Sequence, residues 1–113
     1  MSPNFELHMT TTDDVPVLSA SGELDMTNAA ELTESLQAMA DSSAKVVVAD
    51  LSGVTFIDST GLNALIVGRK RLEERGGELR LVMTHPHVLK VFEITGLLDV
   101  FPVHASVTEA LPG

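Results

Sequence analysis

The feature that most constrains the fold is a change of hydrophobic period between residues 45 and 75. A β-branched run from Val46 to Val48 opens an apolar segment that continues to Ile57, which is typical of a buried strand. After the polar turn Asp58-Ser59-Thr60-Gly61, apolar side chains recur at helical spacing, at Leu62, Leu65, Ile66 and Leu72. A buried strand followed at once by an amphipathic helix indicates an α/β fold.

The rest of the chain continues this alternation, in the order ββαβαβαβα. Two strands, Phe5 to Thr10 and Val15 to Ser21, are joined closely enough to predict an antiparallel hairpin. The remaining predicted elements are a helix opened by Asn28, a strand over Glu78–Met83, a helix from Pro86 to Gly96, an edge strand over Val100–Val103 and a short helix opened by Ser106. We therefore predict one α/β domain over residues 1–113, with a mixed sheet of four to five strands packed against helices.

Several boundaries follow from local signals. The segment Gly22-Glu23-Leu24-Asp25 is predicted to end the second strand. Asn28 with Glu31, and Ser106 with Glu109, have the spacing of capping boxes. For the central helix we expect Thr60 to be the cap, a core face formed by the four apolar residues above, and an opposite stripe of Asn63, Val67, Lys70, Arg71 and Glu74.

Composition excludes several classes of function. The net charge of −9 disfavours nucleic acid and anionic membranes as partners. The chain has no cysteine, which removes disulfides, thiol catalysis and cysteine-ligated zinc. No Lys or Arg precedes Lys45, and no apolar run approaches the roughly 20 residues of a membrane span, so we expect a cytoplasmic protein. Four of the seven basic residues cluster at Arg69, Lys70, Arg71 and Arg75, either to complement the helix dipole or to form a small docking patch.

No pattern in the chain predicts catalysis, a cofactor or a metal. The histidines His8, His85, His87 and His104 lack the ligand spacing of a metal site, and phosphate-loop and nucleophile-elbow motifs are absent from the sequence. A receiver domain would use an acidic pair, here Asp13-Asp14, together with the strand aspartate Asp50. That pair leads straight into a second strand with no helix between, and the late lysine of receivers is missing, which disfavours this interpretation.

The segment from Asp50 to Leu62, Asp-Leu-Ser-Gly-Val-Thr-Phe-Ile-Asp-Ser-Thr-Gly-Leu, resembles the signature of the STAS family, and specifically of bacterial anti-sigma factor antagonists. The segments Gly22–Asp25, Gly76-Gly77 and Phe92–Leu97 are also similar to the family, so the resemblance covers nearly the whole chain. It implies that Ser59 is phosphorylated by an anti-sigma factor that is also a serine kinase. The unphosphorylated form would bind that kinase and release the sigma factor, and a serine phosphatase would restore it. Asp25 and Asp58 match acidic positions that flank the family's site.

Elementary electrostatics is consistent with such a switch. A phosphate adds nearly two negative charges beside Asp58, which a partner surface would sense. We therefore expect one partner-binding surface made of Asp25, Asp58, Ser59, Thr60, Gly61, Asn63, Val67 and Lys70, on a protein that is a monomer when free. A simpler alternative is that the hydroxyls and carboxylate of this turn only cap the helix. Two others are a STAS scaffold of a multiprotein sensor or transporter without regulatory phosphorylation, and a small-molecule enzyme with a deep polar pocket.

Overall fold

The computed structural model describes residues 4–112, which form a five-stranded mixed sheet covered by helices. The predicted alternation of strands and helices is confirmed. The elements are β1 (Phe5–Thr12), β2 (Val15–Leu24), α1 (Ala29–Ala40), β3 (Val46–Ile57), α2 (Ser59–Glu74), β4 (Glu78–Val82), α3 (Pro86–Ile94), a 3₁₀ turn (Leu97–Asp99), β5 (Val103–His104) and α4 (Val107–Ala110).

The strands are arranged in sequence order, β1-β2-β3-β4-β5. β1 pairs antiparallel with β2 through the predicted hairpin, whose turn residues Asp13 and Asp14 have φ values of 50° and 67°. Aspartate tolerates this left-handed conformation, which matches a tight hairpin turn to the twist of its strands. β2, β3, β4 and β5 pair in parallel, so the carboxyl ends of these four strands meet at one edge of the sheet.

Two apolar clusters of unequal size lie on opposite faces of the sheet. Alternate β3 residues Val47, Ala49 and Leu51 belong to the large cluster, together with residues of α1, α2 and α3. Val48 points the other way, into a small cluster that α4 covers with Ala110. This alternation is the period of two expected of a strand buried on both faces. Among the described residues, no helix combines the length and the apolar composition needed to cross a bilayer.

The second strand was predicted to stop at Ser21, which is wrong, because β2 continues to Leu24 and ends only within the segment Gly22–Asp25. Gly22 takes a φ of 97°, and the register against β3 shifts between Gly22 and Glu23. Glycine tolerates this conformation, so the strand bulges and then resumes beside β3, where Leu24 pairs with Ile57. The extension carries the end of β2 to the same edge as the turn that opens α2.

The edge strand predicted over Val100–Val103 is also wrong, because only Val103 and His104 form β5. Gly96, with a φ of 78°, turns the chain after α3 into the 3₁₀ turn, and the Leu97 carbonyl accepts hydrogen bonds from the N–H groups of Val100 and Phe101. These bonds hold the segment in a turn where a strand was expected. Periodicity alone does not reveal such a turn in a short apolar run.

The predicted core face of α2 needs one correction. Leu65 and Leu72 are fully buried and Leu62 is partly buried, but Ile66 is 38 % exposed. The other buried positions of α2 are small residues, Gly61, Ala64 and Gly68. α2 lies close to α1 at Gly68, which faces Leu36, and a search for large apolar residues overlooks such a position.

Gly68 offers a test of this close approach. A Cβ added to Gly68 would lie 2.6 Å from Leu36 Cδ1 and 3.1 Å from Leu36 Cβ, on the facing helix. In an exposed helix, changing Gly to Ala stabilises by up to about 1 kcal/mol. Here we expect Gly68→Ala to lower the free energy of unfolding by about 1–3 kcal/mol, because Leu36 is fully buried and has no room to move.

Urea unfolding measures this effect. The control is Asn63→Ala at an exposed position of the same helix, which we expect to leave the midpoint unchanged or slightly raised. A Gly68→Ala midpoint at or above that of the wild type would contradict the close packing of α1 and α2.

Candidate functional site

Asp58 organises the turn between β3 and α2. It is the N-cap of α2, and its Oδ1 accepts hydrogen bonds from the Gly61 N–H at 3.0 Å and from the Thr60 hydroxyl at 2.6 Å. Thr60 was predicted to be the cap; instead it lies within the first turn of α2 and supports the carboxylate that caps the helix. Asp58 is better suited because it precedes the helix in an extended conformation, as an N-cap residue does.

The same carboxylate fastens the neighbouring loop. Asp58 Oδ2 accepts a hydrogen bond from the Met26 N–H at 3.2 Å, and the Asp58 N–H donates to the Leu24 carbonyl at 3.2 Å. Met26 belongs to the loop between β2 and α1, 32 residues earlier in the chain. One side chain therefore joins the carboxyl ends of two neighbouring parallel strands.

The β2–α1 loop is stiffened from within by Asp25 and Asn28. Asp25 Oδ1 accepts bonds from the N–H of Thr27 at 2.9 Å and from its hydroxyl at 2.6 Å. Asn28 is fully buried, and its side chain accepts from the Asp25 N–H at 3.0 Å and donates to the Glu23 carbonyl at 2.8 Å. The predicted capping box at Asn28 and Glu31 is wrong, because the Asn28 amide serves the loop and makes no capping bond to α1.

The pKa of Asp58 is lowered from its ordinary value by this arrangement. Partial burial alone would raise the pKa, but it is outweighed by hydrogen bonds from the Thr60 hydroxyl and from the backbone N–H groups of Gly61, Met26 and Thr60. These donors favour the ionised carboxylate. Asp58 is therefore a fixed negative charge at the start of α2, where the helix dipole is positive.

Ser59 is the first residue of α2 and is exposed. Among residues 4–112, its hydroxyl has no hydrogen-bond partner, because Asp58 already provides the capping bond. Met26, 76 % exposed, is bonded through its N–H to the residue next to Ser59. The site therefore presents a free hydroxyl beside a carboxylate and an apolar side chain. The sequence analysis did not single out Met26, since one methionine in a loop carries no pattern.

The other predicted surface residues are spread along α2. Thr60, Asn63 and Lys70 are exposed, Val67 is half-buried, and Gly61 is buried. A Cβ on Gly61 would lie 2.8 Å from Leu24 Cγ and 2.9 Å from Ile57 Cγ1, so this position admits only glycine. Gly61 thus fixes the first turn of α2 against the ends of β2 and β3, and it presents no side chain to a partner.

Val67 and Lys70 lie in a groove between α1 and α2, which we call the α1–α2 groove. Its volume is about 290 Å³, and its lining residues are Gln37, Val67, Lys70, Arg71 and Glu74. Lys70 is 11 residues beyond Ser59, which corresponds to roughly 16 Å along the helix axis. The groove and the turn are therefore separate regions at the two ends of α2. The sequence analysis missed Gln37, because the crossing of α1 and α2 could not be read from either helix alone.

Four of the acidic and histidine residues considered earlier have structural roles. Asp13 and Asp14 form the hairpin turn at the amino end of β2, opposite to the edge that carries Asp58. His85 Nδ1 caps α3 by accepting a bond from the His87 N–H at 3.2 Å, and the His87 ring stacks on Phe56. Within the described part of the chain, no three His, Asp or Glu side chains are grouped so that they could hold a metal ion.

The family model of the STAS domain matches residues 6–110. The chain belongs to the STAS domain family. BtrV of Bordetella bronchiseptica, classed as an anti-sigma factor antagonist, is 37 % identical to this STAS domain over 99 residues, 88 % of this chain and 85 % of BtrV. The anti-sigma-B factor antagonist of Staphylococcus aureus is 32 % identical over 101 residues, 89 % of this chain and 94 % of that protein.

The crystal structure of an anti-sigma factor antagonist from Mycobacterium paratuberculosis has the same fold. It superimposes on this STAS domain with a TM-score of 0.87 and 31 % sequence identity, over 96 % of this chain and 93 % of that one. The resemblance inferred from the Asp50–Leu62 segment is thus confirmed at the level of family and fold.

The lowered pKa of Asp58 predicts how stability depends on pH. Since the pKa is lower in the folded than in the unfolded state, the stability that Asp58 contributes is complete only above about pH 5, about one unit above the ordinary aspartate pKa. It is lost as pH falls through the folded-state pKa. We expect Asp58→Asn, which keeps the shape but removes the charge, to lose less unfolding free energy than the wild type between about pH 5 and about pH 2.5.

Urea unfolding over this pH range measures the difference. The control is Asp99→Asn, because Asp99 is exposed and its carboxylate accepts no hydrogen bond from the described residues. We expect its acid slope to match that of the wild type. Parallel acid slopes for wild type and Asp58→Asn would contradict the stabilising contacts described for the Asp58 carboxylate.

Proposed function

We propose that this STAS domain is an anti-sigma factor antagonist whose binding is switched off by phosphorylation of Ser59. The observation that carries the proposal is the free, exposed hydroxyl of Ser59 on a helix start that Asp58 has already capped. A kinase can reach this hydroxyl without unwinding α2. The similarity to anti-sigma factor antagonists of three bacteria supports the nature of the partner.

In this proposal the partner is an anti-sigma factor with serine kinase activity. The unphosphorylated domain binds it and releases the sigma factor; the phosphorylated domain does not bind, and a serine phosphatase restores the binding form. No reaction is assigned to the domain itself, which acts as a kinase substrate and a binding protein.

Charge explains why one phosphate is sufficient. A phosphoserine at position 59 would carry about −1.5 to −2 charges beside Asp58, within the hydrogen-bonded turn that also holds the Asp25 loop. The positive end of the α2 dipole offsets part of this charge within the domain. A partner surface fitted to the neutral hydroxyl meets both new charge and new bulk. A hundredfold loss of affinity needs only about 2.7 kcal/mol.

The proposed contact surface begins at this turn and continues along α2. Asp25, Asp58, Ser59 and Thr60 form its acidic and hydroxyl part, and Gly61 holds them in place. Asn63 extends it along α2 to the α1–α2 groove, and Val67 and Lys70 belong to the lining of that groove. Met26 adds an exposed apolar side chain next to Asp58.

The first test measures binding to the purified cognate anti-sigma factor by titration calorimetry. We expect Ser59→Ala to bind like the unphosphorylated wild type, and Ser59→Glu and the phosphorylated wild type to bind about a hundredfold more weakly. The control Ser43→Glu adds a charge at an exposed position after α1 and should bind normally. Equal affinities for Ser59→Ala and the phosphorylated wild type would refute the switch.

Mass spectrometry of the domain isolated from its native cells provides the matching cellular test. Phosphate on Ser59 supports the regulated antagonist. A domain that binds its partner in the cell but never carries phosphate on Ser59 would instead be an interaction module of a larger assembly.

A second binding test concerns Val67, which is half-buried at the groove. We expect Val67→Asp to weaken binding to the anti-sigma factor at least about tenfold, or 1.4 kcal/mol, with little change in thermal unfolding. The control Val100→Asp makes the same change at a valine that is 40 % exposed and lies after the 3₁₀ turn. Unchanged binding would remove Val67 from the contact surface, and a large fall in Tm would assign it to the core.

A further inference from the structure

The basic residues of this acidic domain are distributed unevenly. Four of the seven occur between positions 69 and 75, although the chain carries a net charge of −9. Two of the four are neutralised inside the domain. Arg69 pairs with Glu73 at 2.9 Å and lies over the Phe101 ring at 5.9 Å from its centroid, and Arg75 pairs with Asp41 at 3.1 Å.

The other two, Lys70 and Arg71, are left uncompensated. Both are exposed, and neither has an ion-pair partner among residues 4–112. Both line the α1–α2 groove, and the one acidic residue that lines it within the described part of the chain is Glu74, one turn further along α2. The groove therefore carries a net positive charge on a molecule that is otherwise strongly acidic.

The groove is also rigid. Its walls come from two helices that pack closely where Gly68 meets Leu36, and both residues are buried. Gln37 and Val67 contribute half-buried side chains next to this crossing. A site that already exists before binding loses little conformational entropy when it is occupied.

The size of the groove restricts its occupant. A volume of about 290 Å³ is at the lower limit of pockets that hold cofactors and drug-sized molecules, which begin at about 300 Å³. It suits one or two side chains of a protein segment. The lining combines the cations Lys70 and Arg71 with the half-buried, apolar Val67. A complementary segment would carry carboxylates on either side of an apolar side chain.

We propose that the α1–α2 groove binds an acidic segment of the anti-sigma factor, through Lys70 and Arg71. This proposal rests on the proposed function for the identity of the partner. Over most of its surface the domain repels an acidic segment, so the groove orients the partner as well as attracting it. Electrostatic binding of this kind weakens as salt is added.

The groove and Ser59 should act independently. They are separated by roughly 16 Å along α2, which exceeds the Debye length of about 8 Å at physiological salt. A charge at Ser59 therefore changes the potential at the groove only slightly. A variant that combines changes at Ser59 and in the groove should therefore raise Kd by the product of the two separate factors.

The test compares two double variants that change the net charge by the same amount. The groove variant is Lys70→Glu/Arg71→Glu, and the control is Lys45→Glu/Lys90→Glu, at two exposed lysines outside the groove lining. Calorimetry with the purified cognate anti-sigma factor is carried out at about 50 mM and about 200 mM salt. We expect the groove variant to bind at least about tenfold more weakly at low salt, with a flattened salt dependence, and the control to change less than about threefold.

Three further measurements complete the test. Thermal unfolding of each variant checks its fold, and Lys70→Gln/Arg71→Gln replaces the groove variant if charge reversal prevents folding. A synthetic peptide that alternates Glu and Leu should shift NMR signals of Gln37 and Arg71, whereas its Lys–Leu counterpart should not. Equal losses for groove and control variants, or equal shifts with the two peptides, would overturn the proposal.

The binding measurements distinguish failure of the groove proposal from failure of the proposed phosphorylation switch at Ser59. If Ser59→Glu binds normally while the groove variant binds weakly, the groove proposal survives and the phosphorylation switch fails. If Ser59→Glu binds weakly while the groove variant binds normally, the switch survives and the groove proposal is wrong.

Discussion

The Asp58 carboxylate is the interaction on which this site depends. One of its oxygens caps α2 through Gly61, and the other holds the Met26 N–H of a loop 32 residues earlier. It adds a side-chain link to the Asp58 N–H bond to the Leu24 carbonyl and to the packing of Gly61 against Leu24 and Ile57. With it, the β2–α1 loop and the first turn of α2 form one rigid unit, built on parallel strands that are already in register. The relative positions of these two segments are thus fixed by one side chain, next to the serine that we propose is phosphorylated.

This arrangement separates stability from regulation. A serine that capped the helix would lose its capping bond on phosphorylation, so each modification would also disturb the fold. Here Asp58 is the cap, Thr60 supports it, and the Ser59 hydroxyl makes no hydrogen bond among the described residues. The hydroxyl can therefore gain or lose a phosphate while β3, α2 and the loop keep their positions. Such a site suits a reversible switch, because only the partner's affinity has to change.

Much of the fold could be predicted from the sequence, since the β-branched apolar run of β3 and the helical period after it are strong signals. The errors occur where a distant contact decides the local conformation. Gly22 prolongs β2 because β3 lies beside it, and Asn28 leaves its helix uncapped because its amide is needed by the loop. Ile66 is 38 % exposed, whereas Gly68, which the apolar pattern does not mark, is buried against Leu36 of α1. An accessible hydroxyl at Ser59 could be predicted from its place at the start of a helix. The bond from Asp58 to the β2–α1 loop and the position of Gln37 in the groove could not be predicted, because each depends on a contact between distant parts of the chain.

The geometry of α2 suggests how a small acidic domain can combine tight binding with a sensitive switch. Its amino end carries the Ser59 hydroxyl that we propose is phosphorylated, next to the ionised Asp58. The groove near its other end carries Lys70 and Arg71, which have no ion-pair partner among residues 4–112. A partner that spans the helix would take most of its electrostatic attraction at the groove and would sense the modification at the turn. Because the two regions lie beyond a Debye length, phosphorylation need not cancel the attraction at the groove to weaken binding. Phosphorylation only has to add a local clash at Ser59. Because Ser59 and the groove lie on the same helix, the distance between the repulsive and the attractive contact is fixed.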